Sequence, residues 1–290
     1  MNQHSKIYYM KWTIGSHSKF SGNIFNILLH SINSGMLVTQ FFMGNPRSFN
    51  RYQATDEDIE KSIKLLEKFP MYVFTHFPYI ASLTGSVKQL AWAGNEEQDN
   101  KTLNMLKHLE YEINTVGKFG HGVIIHPNSN PNREQGLLTV AKSINKINFE
   151  GNSKLLIENC SSEGDKLAKD FKEIKIILDN IDEDKKDNVR ICLDTCHIFA
   201  AGIYDISKIT EIDRMFTEFD KLIGIKFLSL IHLNDSKTPF GSHVDRHACL
   251  MDGFIWKKDV LLYFLNKCES LNIPMVLETK ESDLLKLFNL

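Results

Sequence analysis

Eight short runs rich in β-branched and aromatic residues recur along the 290-residue chain, at positions 11–17, 36–43, 71–77, 122–126, 154–158, 190–194, 227–233 and 274–278. Runs of this length, bounded by turn-forming residues, predict buried strands. Between them the period changes. Residues 56–69 set Ile59, Ile63, Leu66 and Phe69 at helical spacing behind an acidic first turn, and residues 96–116 do the same with Leu103, Leu106, Leu109 and Ile113. Positions 136–147, 167–181, 212–223 and 257–271 continue the series. Eight strands alternating with helices predict an α/β protein, a single-domain (β/α)8 TIM barrel over residues 1–290. An open doubly wound sheet is the rival, but its glycine-rich GxGxxG first turn is absent from the sequence.

The predicted strands three to eight all end on a histidine or a carboxylate: His76, His126, Glu158, Asp194 (with His197 three residues on), His232 and Glu278. Asp, Glu and His occupy 47 of the 290 positions. Six consecutive strand ends would all carry one with a chance on the order of 10⁻⁵, or 10⁻³ after allowing for loose boundaries. In a barrel these ends converge on the carboxyl-terminal mouth, where active sites sit. Imidazoles and carboxylates crowded together there repel or desolvate one another unless they share something cationic. A metal centre meets that requirement. With Asp245 and His247 of the VDRH segment added, five histidines and four carboxylates are too many for one ion. With one bridging carboxylate they suffice for three. Nitrogen and oxygen donors without cysteine point to catalytic Zn²⁺, with Mn²⁺ as a substitute.

Composition narrows the class. At 42% hydrophobic and 24% charged residues the chain has ordinary globular usage, which excludes disorder, collagen and coiled coil. The chain carries no apolar run long enough for a membrane span and opens on no basic-then-apolar leader, so an intracellular protein without membrane association is expected. Five cysteines without a CxxC pair read as reduced thiols. Thirty-four basic against 36 acidic residues give −2, which argues against holding nucleic acid by bulk charge.

Several blocks follow one pattern in order: GSHS at 15–18, NPRSF at 45–49, HFPY at 76–79, IIHP at 124–127 and IEN at 157–159, then CLDTCHIFAAGIYD at 192–205, HLNDSKTPFGSHVDRH at 232–247 and LET at 277–279. From about residue 12 to residue 280 the chain resembles the endonuclease IV (AP endonuclease 2) family of DNA-repair enzymes acting at abasic sites. The resemblance implies a barrel with three zinc ions. His76, His126 and Glu158 would hold the first. Glu158 would bridge to a second completed by Asp194, His232 and Glu278, and His197, Asp245 and His247 would hold the third. It further implies Glu158 and Glu278 as catalytic carboxylates and a hydroxide shared between two zincs, which attacks the phosphorus 5′ to the abasic deoxyribose. The products would be a 3′-hydroxyl and a 5′-deoxyribose phosphate, with trimming of blocked 3′ ends. The implied partner is double-stranded DNA carrying abasic sites or blocked 3′ ends, bound by a monomer, with Arg47 and Tyr79 entering the duplex. Phe49 where many relatives have Trp, Ser161 and Ser162 where they carry Ala and Gly, and Trp256 where Gly is common bear on loop shape and DNA contact, not on the metal core. Three zincs and one hydroxide would bring the formal charge to about +3, concentrated at the mouth.

Taken singly, each of these residues has a plainer reading. A lone strand-end histidine is more often a hydrogen-bonded core residue, a lone glutamate a cap or surface ion pair, and Asp194 with His197 a helix cap. A loop arginine is usually solvated, and a tyrosine after proline often packs. It is the joint occurrence with the long blocks that favours ligation. His17 and His121 are read as structural or supporting, His243 has no ligand role, and Cys160, Cys192 and Cys196 are small apolar fillers. The 184–190 segment is a helix-end loop, and Asn234 and Asp235 are partners for imidazole N–H groups. A divalent-metal sugar isomerase or epimerase on the same barrel is the main functional rival. The extra set His76, His126, His197, Asp245 and His247 separates them, since a sugar enzyme needs one or two metals and has no use for a complete third site. A lesion binder without chemistry is the other, and the intact donor set argues against it.

Overall fold

The computed structural model describes residues 11–85, 96–287 and 290. Its strands are β1 (Ile14–His17), β2 (Val38–Phe41), β3 (Tyr72–His76), β4 (Gly122–Ile125), β5 (Leu155–Glu158), β6 (Val189–Asp194) and β7 (Leu228–His232), then a two-residue antiparallel pair, β8 (Asp235–Ser236) with β9 (His247–Ala248), and finally β10 (Met275–Leu277). Strands β1 to β7 and β10 close a parallel barrel in sequence order, β10 returning to β1. Helices α1 (Ile24–Asn33), α2 (Asp56–Lys68), α3 (Glu96–Val116), α4 (Arg133–Ile144), α5 (Phe171–Asp179), α6 (Thr195–Ala200), α7 (Ile209–Leu222), α8 (Lys258–Ser270) and α9 (Leu284–Leu287) lie in the connections and after the last strand. The predicted (β/α)8 barrel is therefore observed. Among the described residues no helix is long and apolar enough to cross a membrane.

Differences from expectation have local causes. Helix α4 starts three residues early because Asn132 caps it, its side chain accepting the Gln135 N–H. Helix α5 starts four residues late because Asp170 caps Glu173 and Ala168 stands at φ +62°, outside helical space. The 184–190 segment is not an open loop but a 3₁₀ turn over Glu183–Asn188 running into β6. Helix α1 lies outside every predicted segment. Its buried Ile24, Ile27, Leu28 and Ser31 keep helical spacing, and its first turn is anchored from a distance: the Asp58 carboxylate of α2 accepts the N–H groups of Ile24 and Phe25 at 2.9 and 3.0 Å.

Side-chain alternation along the strands sorts the molecule. Val73, Val123, Ile125, Leu155, Ile157, Ile191, Leu193, Ile231 and Leu277 face outward into the main core under the helices. The alternate positions Val38, Phe74, Ile124, Leu156, Cys192, Leu230 and Val276 make a second buried cluster inside the barrel. Two residues further toward the carboxyl end, the inward series becomes Gln40, His76, His126, Glu158, Asp194, His232 and Glu278. An apolar plug thus underlies a polar layer. On β1 the plug position is Gly15, in register with Val38 and Val276. A Cβ there would lie 1.5 Å from the Val38 carbonyl oxygen. We expect Gly15→Ala to cost about 3 kcal/mol or more, because backbone must move to admit the methyl. An unchanged midpoint in urea unfolding would contradict this close approach.

Candidate metal centre

All nine strand-end and loop donors predicted from the sequence come together at the carboxyl-terminal mouth. Their ligand atoms fall into three groups, each within 4.8 Å: His76, His126 and Glu158; Glu158, Asp194, His232 and Glu278; and His197, Asp245 and His247. Glu158, buried at the end of β5, connects the first two. Its Oε2 faces His76 Nε2 at 3.2 Å and His126 Nε2 at 3.3 Å, while Oε1 faces His232 Nδ1 at 2.9 Å. The third group adjoins through His247 Nε2, 3.6 Å from Asp194 Oδ2.

Hydrogen bonds behind the imidazoles fix which nitrogen is free. His76 Nδ1 donates to the Phe77 carbonyl at 2.7 Å and His197 Nδ1 to the Asn159 carbonyl at 2.9 Å, leaving Nε2 of each toward the centre. His232 is turned the other way, its Nε2 donating to Gln40 Oε1 at 2.7 Å. The Nε2 atoms of His197 and His247 are buried and make no aligned hydrogen bond, although Asp245 oxygens lie 3.0 and 3.2 Å away. Buried lone pairs converging on a shared carboxylate suit a cation among them, so the donor set fits divalent metal.

The electrostatics agree. Burial opposes charge on Glu158, yet His126 and His232 hold its carboxyl well below the usual range. Burial likewise opposes charge on Asp245 and Glu278, but hydrogen bonds from His197 and His247 depress the first, and His232 holds the second to about 2. Against burial, Asp194 and Asp245 push His197 up to about 10 and also raise His247, while Cys192, then Glu278 and Glu158, raise His232. Burial dominates at His126, pulled down to about 4. A cation among these donors would satisfy the same carboxylates that raise the imidazoles, and its binding would release protons. A further grouping, Asp194, Cys196 and His247, contains a thiol. Burial and then Asp194 push its pKa up, away from the thiolate that ligates metal. Cys160 and Cys192 are pushed up to about 12 by burial, in keeping with the filler reading.

Supporting residues divide into those foreseen and those missed. Asn234 donates from Nδ2 to Asp194 Oδ2 at 2.6 Å and Glu278 Oε2 at 3.1 Å, so it orients two carboxylates rather than an imidazole. Asp235 holds the loop that carries Asp245 and His247, accepting the N–H groups of Ser236, Gly253 and Ile255. Trp256 is buried and donates its indole N–H to the Asn234 carbonyl at 3.1 Å. Ser162 adopts φ +66°, the left-handed region that favours glycine, which accounts for the glycine expected there. His121 sits away from the mouth, its Nδ1 accepting the Val73 N–H. Gln40 escaped notice: besides His232 it bonds Glu278 Oε1 at 2.9 Å and His17 Nδ1 at 3.0 Å. Its signal was the same strand-end position, on β2, in a residue that does not titrate. Asn159 was missed too, accepting the Asp194 N–H at 2.6 Å.

Arg47 and Tyr79 stand at the rim. Arg47 is exposed, and Tyr79 is 50% exposed with its ring 5.3 Å from His76 and 5.9 Å from His126. Both line a cavity of about 550 Å³ beside the centre, together with His126, His197, Asp245 and Arg246.

A family model described as a xylose isomerase-like TIM barrel, that of AP endonuclease 2, matches residues 33–285. Over 270 residues, 92% of each chain, the sequence is 32% identical to a protein named "Probable endonuclease 4" from Clostridium botulinum. It is 28% identical over 275 residues to "Apurinic-apyrimidinic endonuclease 1" of Plasmodium falciparum, covering 92% of this chain and 44% of that one. The crystal structure of endonuclease IV from Thermus thermophilus shares the fold, with a TM-score of 0.78 at 23% identity over 96% of this chain and 97% of that one. A barrel with this donor set at its mouth, matched along nearly its whole length, belongs to the endonuclease IV family.

Proposed function

We propose that this protein is a metal-dependent DNA-repair endonuclease that hydrolyses the phosphodiester bond 5′ to an abasic site, leaving a 3′-hydroxyl and a 5′-deoxyribose phosphate, and that it also trims blocked 3′ ends. The observation that carries this reading is the nine-donor set in three adjoining groups. His76, His126 and Glu158 would hold one Zn²⁺, Glu158, Asp194, His232 and Glu278 a second, and His197, Asp245 and His247 a third, with Mn²⁺ as a substitute. Bound metal supplies Lewis acidity at the phosphate and a nucleophile at neutral pH. The third group favours this reading over a sugar isomerase, which needs one or two ions.

The chain's own residues supply orientation. Glu158 presents its two oxygens to different imidazoles, so one carboxylate can serve two ions. Asn234 aims Asp194 and Glu278, and Gln40 sets the tautomer of His232. Arg47 and Tyr79, on the rim above them, are read as entering the duplex at the lesion, where no base is stacked and displacement costs least. The protein is read as an intracellular monomer of one domain over residues 1–290, with abasic double-stranded DNA as partner and no membrane.

On a duplex carrying a tetrahydrofuran abasic analogue we expect incision 5′ to the lesion. Chelation should abolish it and Zn²⁺ restore it, with about three metals per chain by elemental analysis. No incision, or fewer than two bound metals, would sink the reading. Glu278→Gln should abolish incision and leave lesion binding largely intact, whereas normal turnover would remove Glu278 from the catalytic set. Arg47→Ala should weaken lesion binding, read by gel shift, without changing metal content. Unchanged affinity would take Arg47 out of the DNA interface.

A further inference from the structure

Behind β3 and the rim loops lies a fully enclosed ion pair. Arg51, just after the NPRSF segment, and Glu112, on α3, have side chains with 0% exposure each. Arg51 Nε donates to Glu112 Oε2 at 2.9 Å, with Nη2 at 2.7 Å from the same oxygen. Buried pairs of this kind cost much desolvation and add little net stability over apolar replacements. What this pair contributes is geometry, because its contacts run to three elements that frame the mouth.

Glu112 Oε1 accepts the Thr75 hydroxyl at 2.8 Å, beside His76 on β3. Arg51 Nη1 reaches the Asn45 carbonyl at 3.4 Å, and the guanidinium lies over the Phe77 ring, 5.6 Å from its centre. Asn45 begins the loop that bears Arg47, and the Arg47 N–H donates to Asn45 Oδ1 at 2.8 Å. Backbone pairing closes the loop's base, between Gly44 and Arg51 and from the Tyr52 N–H to the Met43 carbonyl at 2.8 Å. The Tyr79 N–H in turn donates to the Pro46 carbonyl at 3.0 Å, so the segments carrying Arg47 and Tyr79 are tied together.

We infer that the Arg51–Glu112 pair is a positioning device: it sets the height and spacing of Arg47 and Tyr79 over the metal centre, and through them the enzyme's preference for a damaged duplex. Arg51 touches neither metal donors nor substrate in this role. It acts by fixing the loop that carries Arg47. The inference rests on the proposed abasic-site activity for its functional readout, though not for its structural one.

The test uses the metal-loaded full chain with Arg51→Met and Glu112→Gln combined. This pair keeps an acceptor for Thr75 and avoids stranding a buried charge. We expect KM for the abasic-analogue duplex to rise by about tenfold or more while kcat changes by less than about threefold, the pattern of lost substrate positioning. Metal content and hydrolysis of bis(p-nitrophenyl) phosphate, which is too small to reach the rim loops, should match the unaltered protein. Unchanged KM, or equal losses on both substrates with falling metal content, would overturn the inference. If the unaltered protein fails to incise the duplex, the proposed function fails separately. Hydrogen exchange then decides the inference: faster exchange of the Arg47 and Tyr79 amides, with β5 and β6 unchanged, supports it, and identical exchange overturns it.

Discussion

Four carboxylates and five imidazoles within a few ångströms, most of them buried, form an arrangement that a protein interior does not tolerate without cations among them. Against burial, Asp194 and Asp245 raise His197 and His247, and Cys192, Glu278 and Glu158 raise His232, so the crowded carboxylates draw positive charge toward them. Much of the surrounding polar structure manages that constraint. Gln40 and Asn234 are buried amides that bond the donors from behind, so rings and carboxylates stay aimed inward. Asn159 and the Asn234–Thr195 exchange tie β5, β6 and β7 together at the same height.

The barrel holds seven of the nine donors on or beside strand ends, but Asp245 and His247 come from the long excursion between β7 and α8. Such a segment would be poorly located on its own. Asp235, with three backbone N–H groups on its carboxylate, and the buried Trp256 hold its two ends. Trp256, which departs from the glycine expected in the family, therefore reads as part of the support for the third donor group. Phe49 in place of tryptophan keeps an aromatic face, stacked 6.0 Å from His108 and tilted against Phe77 at 6.1 Å. At these two positions large rings pack instead of opening the fold.

The barrel was readable because short β-branched and aromatic runs and the helical periods between them are local signals. The donor layer was readable because one side-chain chemistry recurred at one strand position. Part of what escaped had no local mark. Gln40 sits where a donor would, but as an amide it does not titrate and so falls outside the histidine and carboxylate pattern. Arg51 and Glu112 are 61 positions apart and form an ion pair only once α3 packs on the barrel. Helix α1 did carry local marks, an Asn23 cap that accepts the Asn26 N–H and helically spaced apolar residues, and Asp58 on α2 adds a second anchor from beyond any local window. The early start of α4 was within reach of the sequence, since Asn132 is a strong cap, but the apolar spacing alone pointed one turn too far along.

The apolar plug beneath the donors has an electrical meaning. Val38, Phe74, Ile124, Leu156, Cys192, Leu230 and Val276, with backbone pressed close at Gly15, fill the barrel's interior as an insulating floor. Water and counterions cannot reach the donor layer from below, so its field lines open upward through the mouth alone. The centre behaves as an electrode exposed on one face: the ions that balance it, and the polyanion it attracts once loaded, must arrive from the same side.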